Sequence, residues 1–260
     1  MDSLLLDPPR AYLRYLDFPG EDLPVVWLHG LGCAASADFA RVVASPSLAG
    51  HRSLLIDFFG HGYSDGPEGF SYSLEDHALS VSQLLDHLSL KGCAVFGHSM
   101  GSSVAITLAA LRADLVSRMV IAEGNLDPGG GIVSTGIAEQ TEREFETTGH
   151  RALLERSLGN GWVTRVATFR ACSPLGLYRS AVGLVKGTQP TMRERLYAFR
   201  IPRVFLFGER SLPDPEMERL ASHGIQVMVV PNAGHDMAVD NPAGLAERTA
   251  AALVVKAQRA

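Results

Sequence analysis

Cys93-Ala94-Val95-Phe96-Gly97-His98-Ser99-Met100-Gly101-Ser102 is the stretch on which the reading of this chain turns. Its first four residues read as a strand, and the run from Ser102 to Leu111 reads as a helix, so Gly97 to Gly101 must make a sharp strand-to-helix turn. A serine at such a turn is held in a strained backbone conformation, and its neighbours must be small because strand and helix pass close beside it. Gly97 and Gly101 supply that smallness. The Ser99 hydroxyl then projects from the carboxyl end of a sheet, while the Met100 amide sits at a helix amino terminus, where partial positive charge favours a developing oxyanion. The strand before and the helix after distinguish this nucleophile elbow from a serine that merely caps a helix.

Composition sets the outer bounds. The chain has 260 residues, enough for one α/β domain with a sizeable core, and 46% hydrophobic with 20% charged residues is ordinary for a globular protein. A net charge of -5 and the lack of a basic cluster interleaved with aromatics argue against a nucleic-acid partner. Met1 to Pro9 carries only three consecutive apolar residues behind an acidic start, which does not make a signal peptide; a cytoplasmic location and no membrane partner are expected. Cys33, Cys93 and Cys172 lack a C-x-x-C spacing and read as small buried hydrophobes. No histidine and carboxylate spacing on one helix suggests a metal, so no metal or organic cofactor is expected. Composition leaves oligomeric state open.

Outward from the elbow, Ala11 to Phe18 reads as an early strand or hairpin arm. Pro24 to Leu28 reads as a strong one running into His29-Gly30-Leu31-Gly32-Cys33. A buried strand ending in a glycine-rich loop is what a parallel sheet needs at its ligand-facing edge, and the Leu31 amide can serve as a second oxyanion donor. His29, just before the glycine, is expected to brace this loop rather than to react. A helix is predicted over 36–43, then a strand over 52–57 whose following loop holds Asp57, His61 and Asp65 as loop-fixing groups. Ser73-Leu74-Glu75-Asp76 opens the next helix with an N-cap and acids. His98, beside the nucleophile, is expected to point away into the sheet–helix junction.

Beyond the elbow helix, Arg118 to Ala122 reads as a strand ending on Glu123-Gly124. The chain then changes character. From Gly129 to about Arg200 helical periodicity is interrupted by glycines and prolines, which predicts several short helices inserted between sheet strands as a cap over the active-site edge. Trp162, Phe169, Leu175, Leu177 and Tyr178 either line a pocket there or pack the cap onto the core. Strands are predicted again over 203–208 and 226–230, with helices over 215–223 and from Pro242 to about Val255. The domain reading is a core of residues 1–124 and 201–260 with a helical cap over 125–200.

The chain resembles the α/β-hydrolase superfamily over nearly all its length from Val25 onward. The residues that carry the likeness are His29-Gly30-Leu31-Gly32, Asp57 through Asp65, Gly97-His98-Ser99-Met100-Gly101 and Gly234-His235, and the order nucleophile, acid, histidine along the chain is also similar. The resemblance implies an α/β fold with a mostly parallel central sheet flanked by helices, with an inserted helical cap. It also implies Ser99 as nucleophile, His235 as base and a carboxylate that orients the histidine. Most members place an aspartate soon after the penultimate strand; here Gly208-Glu209-Arg210-Ser211 has a serine at that position. Glu209 and Asp214 in the same loop, and Glu123 at the end of the strand after the elbow helix, remain as candidates. Glu123 is preferred, because a carboxylate at the carboxyl edge of a sheet is costly unless paired with a cation such as imidazolium. In this the segment is similar to some haloalkane dehalogenases. Dehalogenases and epoxide hydrolases of this fold use an aspartate at the elbow, whereas Ser99 suits acyl transfer to water. Hydrolysis of a small carboxylic ester is the first expectation. Amide, lactone or carbon–carbon bond hydrolysis with the same triad, perhydrolysis, or a non-catalytic small-molecule receptor of the same fold stand as alternatives.

Overall fold

The structure, a computed structural model, describes residues 1–256. Its centre is an eight-stranded sheet of β1 (Asp2–Leu6), β2 (Ala11–Phe18), β3 (Asp22–Leu28), β4 (His51–Asp57), β5 (Cys93–His98), β6 (Val116–Ala122), β7 (Arg203–Gly208) and β8 (Gln226–Val230). The strand order is β1-β2-β4-β3-β5-β6-β7-β8. Only β2 runs against the rest, pairing antiparallel with β1 and β4, while β4, β3, β5, β6, β7 and β8 pair in parallel.

The central strands are apolar on both faces because both faces are covered. In β3, Val26 and Leu28 enter one core while Val25 and Trp27 enter the other, and in β5 Cys93 and Val95 oppose Ala94 and Phe96 in the same way. Helices Leu74–His87 and Met100–Leu111 cover the first face, and Pro242–Leu253 covers the second. Ser73 caps the first of these, accepting from the Asp76 amide at 3.1 Å. All three cysteines are buried.

Two local expectations need correction. β1 has no counterpart in the sequence reading: of its residues only Leu6 is buried, so the strand is carried by backbone pairing with β2 rather than by an apolar alternation. The helix expected over 36–43 is two short ones, Ala35–Asp38 and Ala40–Val43. The break falls at Phe39, whose ring is buried against Trp27 and Phe96 with centroids 5.4 and 5.3 Å apart. Seating a large ring between two others outweighs the continuity of one short helix.

Between β6 and β7 the described chain is helical: Ile132–Ala138, Glu142–Glu144 leading through a π-helical turn, Phe145–Gly149, into His150–Gly159, then Val163–Ala171, Pro174–Lys186 and Met192–Ala198. These helices, here called the cap, share a small core that includes Phe145, Phe169, Leu177 and Ala181. Ser180 bonds to the His77 Nε2 of the sheet domain at 3.2 Å, and Arg179 pairs with Glu142 while donating to the carbonyls of Glu68 and Phe70. Among the described residues no helix is long and apolar enough to cross a membrane.

Candidate active site

β5 ends at His98, and the next residue, Ser99, has φ 51° and ψ −118°, a left-handed backbone that only an over-determined turn holds in a residue with a side chain. Both flanking glycines are required. A Cβ on Gly97 would lie 2.5 Å from the Gly101 carbonyl oxygen, and one on Gly101 would collide with the carbonyl of Leu28 at the end of β3. The Ser99 amide donates to the Ala122 carbonyl at 2.9 Å, which pins the turn to the end of β6.

The loop after β3 closes on the same point. A Cβ on Gly30 would lie 3.3 Å from Ser99 Cβ and 3.1 Å from His98 Nδ1. His29 braces that loop, accepting from the Phe58 amide at Nε2 (3.0 Å) and donating from Nδ1 to the Gly30 carbonyl (2.8 Å). Burial lowers its pKa to about 4, so it is a neutral strut. Among the described residues the amides of Leu31 and Met100 donate to no protein group, and Leu31 stands on the wall of the cavity that Ser99 faces.

His235 follows β8 in the loop Pro231–Asp236, and its half-exposed ring lines that cavity too. Its Nδ1 lies 3.8 Å from Glu123 Oε2. Glu123 has φ 47°, a second left-handed non-glycine residue at the carboxyl edge, and its Oε1 accepts from the Gly208 amide at 2.9 Å. Burial pushes the Glu123 carboxyl upward, but the His235 ring, the Gly208 amide and the Ser211 hydroxyl together hold it below its ordinary value. Ser211 stands at the position where the resemblance drawn from the sequence implies an aspartate. The 3.8 Å separation exceeds a formed hydrogen bond and falls within the looseness usual before substrate binds. Glu209 and Asp214 are engaged elsewhere: Glu209 accepts from the Asn232 amide at 2.7 Å and Asp214 from the Glu216 amide at 2.8 Å.

His98 does not point away into the sheet–helix junction. It lines the cavity and donates from Nε2 to the His235 carbonyl at 2.8 Å, because the shared edge of β5 and the β8 loop brings these two histidines to a centroid separation of 4.9 Å. Burial, with His235 and Arg165 adding to it, lowers its pKa to about 3. The cap closes the cavity, about 420 Å³, with Ile132, Val133, Trp162, Phe169 and Leu184. Of the aromatic and apolar candidates, Trp162 and Phe169 reach it, while Leu177 is buried in the cap core and the Tyr178 hydroxyl bonds to the Gln140 carbonyl.

Arg165 is the feature the sequence reading missed. From helix Val163–Ala171 it enters the cavity wall and pairs with Asp236, the residue after His235. His98, His235 and Asp236 offer metal-ligand atoms within 4.8 Å of one another, yet both oxygens of the Asp236 carboxylate are taken up by the Arg165 guanidinium.

Comparison with known proteins points to the same fold. A family model described as the alpha/beta hydrolase fold matches residues 24–145. The crystal structure of the enol-lactonase from Burkholderia xenovorans LB400 superposes with a TM-score of 0.81 at 20% identity, over 98% of this chain and 100% of that one. The chain has the α/β-hydrolase fold. It is similar to the sn-1-specific diacylglycerol lipase of Mus musculus, 29% identical over 243 residues that span 84% of this chain and 76% of the lipase. It is also similar to a haloalkane dehalogenase of Mycolicibacterium paratuberculosis, 34% identical over 128 residues, 48% of this chain and 42% of that protein.

Proposed function

We propose that this protein of α/β-hydrolase fold cleaves small, uncharged carboxylic esters through an acyl-enzyme on Ser99. The observation that carries the reading is the convergence of three groups from separate loops: Ser99 on a strained elbow, His235 on the same cavity, and Glu123 facing the His235 Nδ1. With Nδ1 turned to the carboxylate, Nε2 is the nitrogen left for the serine. Ser99 Oγ bonds to the ester carbonyl carbon as its proton passes to Nε2, and the oxygen, now negative, is held by the Leu31 and Met100 amides. The ester C–O bond then breaks, and His235 returns the proton to the departing alcohol. Water repeats the sequence on the acyl-enzyme to release the acid.

The cavity wall supports an apolar substrate, since Leu31, Ile132, Val133, Trp162, Phe169 and Leu184 supply most of it and its one guanidinium is already neutralised by Asp236. The lipase and lactonase likenesses point to the same chemistry. The test is stopped-flow hydrolysis of p-nitrophenyl butyrate followed by mass spectrometry of the quenched protein. A burst of nitrophenol with butyryl on Ser99 is expected; the absence of both the burst and the adduct overturns the reading in favour of a receptor.

A further inference from the structure

We infer that Arg165 is a positioning residue through which the cap holds both reactive loops in register; the inference rests on the ester-hydrolase reading and extends it to the cap. Arg165 is fixed on the cap, yet among the described residues every polar partner of its side chain lies outside the cap. Its Nε donates to Asp236 Oδ2 at 3.1 Å and Nη2 to Asp236 Oδ1, forming a fork on one carboxylate. Its Nη1 meets Cys33 Sγ and lies 3.6 Å from Asp38 Oδ2. Asp236 follows His235, whereas Cys33 lies two residues beyond Leu31 and Asp38 ends the helix after it. One guanidinium therefore joins the loop of the base to the loop of an oxyanion donor, across the cavity that Ser99 faces.

The charge balance makes it a brace rather than a receptor for substrate. Its side chain is 14% exposed and that of Asp38 4%, so this end of the cluster is desolvated, while Asp236 at 36% stands partly open at the cavity. Burial opposes the Arg165 charge, but Cys33, Asp236 and Asp38 around it hold its pKa above the ordinary value. Two carboxylates on one cation leave no positive charge to draw an anionic substrate. The loop of the base is also tied within the sheet side, by His98 Nε2 on the His235 carbonyl at 2.8 Å and by the Gly234 amide on Asp240, but Arg165 ties it to the cap, and the His235 ring itself is half exposed and stands 3.8 Å from Glu123. Removing one partner from a buried charge cluster strands the others, so the loops must shift or take in water. A shift of about 1 Å at a reacting group costs roughly a hundredfold in rate.

The experiment compares the parent with Arg165→Met, Asp236→Asn and the double variant on two matched esters, one neutral and one bearing a carboxylate. Amide hydrogen exchange of residues 31–38 and 234–240 is measured on the same proteins. The brace predicts a fall in kcat of about a hundredfold for each single variant on both esters, with KM changed by less than about threefold. It predicts a double variant no worse than the poorer single one, because the pair acts as a unit. Both loops should exchange faster while β5 stays protected. Should Arg165→Met fail to fold, Arg165→Lys keeps the charge without the fork and should still lose most of the rate with intact β5 protection. Unchanged kcat and unchanged loop exchange overturn the inference, as does a loss confined to the KM of the charged ester, which would make Arg165 an anion receptor. Fluorophosphonate labelling of the parent separates the two readings: an unlabelled Ser99 sinks ester hydrolysis, while the exchange measurement still decides the brace.

Discussion

At the scale of single residues, the candidate site divides into groups that declare themselves in the sequence and groups that do not. Ser99→Ala removes the bond-forming atom and leaves the oxyanion amides in place, so turnover should fall by about a millionfold while circular dichroism and melting stay near the parent. Glu123→Gln keeps the shape of the side chain and its acceptance from Gly208 but removes the charge opposite the His235 Nδ1. The expected fall is about a thousandfold or more in kcat with KM nearly unchanged, measured by steady-state kinetics, whereas Asp214→Asn and Glu209→Gln should stay within about threefold of the parent. Parental turnover in Glu123→Gln would remove it from the triad. Ser99 is legible because an elbow needs glycines at fixed offsets, and Glu123 because a carboxylate ending an apolar strand needs a cation. Arg165 has no such mark. Arg170, five residues on in the same helix, is exposed, and nothing in the spacing of Val163 to Ala171 tells which arginine reaches the core. That choice depends on how the cap helix sits on the sheet, a long-range packing outcome with no local signature.

The elements carry the site only as precisely as they pass one another. The elbow helix Met100–Leu111 approaches β3 so closely that Gly101 rests on the carbonyls of Leu28 and His29. In Gly101→Ala the added methyl must push helix and strand apart, against a core in which Leu28, Met100, Val104 and Ala105 are fully buried. Overpacking of this kind costs about 3 kcal/mol, which for a chain of this size lowers Tm by roughly 10 °C. Differential scanning calorimetry of the alanine variant checks it, and a Tm within about 2 °C of the parent would show that the contact yields more easily than its geometry implies. Where elements follow from local rules, the sequence reading and the structure agree: the two-sided apolar strands β3 and β5, the Ser73 cap and the run of short helices between β6 and β7, although Gly149 and Gly176, expected as interruptions, lie inside helices. Where they follow from pairing or packing, the reading stops. β1 is held by the backbone of β2 despite an exposed face, and the helix after the oxyanion loop breaks to bury Phe39.

The molecule as a whole stores an acid sensitivity in its buried imidazoles. His29, His61 and His77 lie in one cluster beside Phe58, with ring centroids 5.3 Å apart for the first pair and 6.2 Å for the second, and His98 lies at the site. Burial lowers the pKa of all four, to about 4 for His29 and about 3 for His61 and His98, with His77 well below its usual value. A histidine whose folded pKa lies below its unfolded value near 6.5 takes up a proton on unfolding at any pH between the two. Its contribution is complete above pH 6.5 and is lost as the pH falls toward the folded value. At pH 5 the cost is about 2 kcal/mol for each of His29, His61 and His98, on the order of 6 kcal/mol together, comparable with the whole stability of an ordinary domain. Asp38 and Asp57, whose carboxyls burial raises, act in the opposite sense as the pH falls below their raised folded values. The expected outcome is a steep loss of stability between pH 6.5 and 5, with about three to four protons taken up per molecule unfolded near pH 5.5. Urea titrations at half-unit steps of pH give that number directly from the slope of unfolding free energy. The cluster also fixes where the transition begins. His77 bonds to Ser180 of the cap, so its protonation strains the cap contact together with the core, and the fluorescence of Trp162 at the cavity mouth should change in the same transition as that of Trp27 in the sheet. A Trp162 signal that moves a full pH unit before Trp27 would mean that the cap releases on its own and that the histidine cluster does not bind the two parts into one cooperative unit.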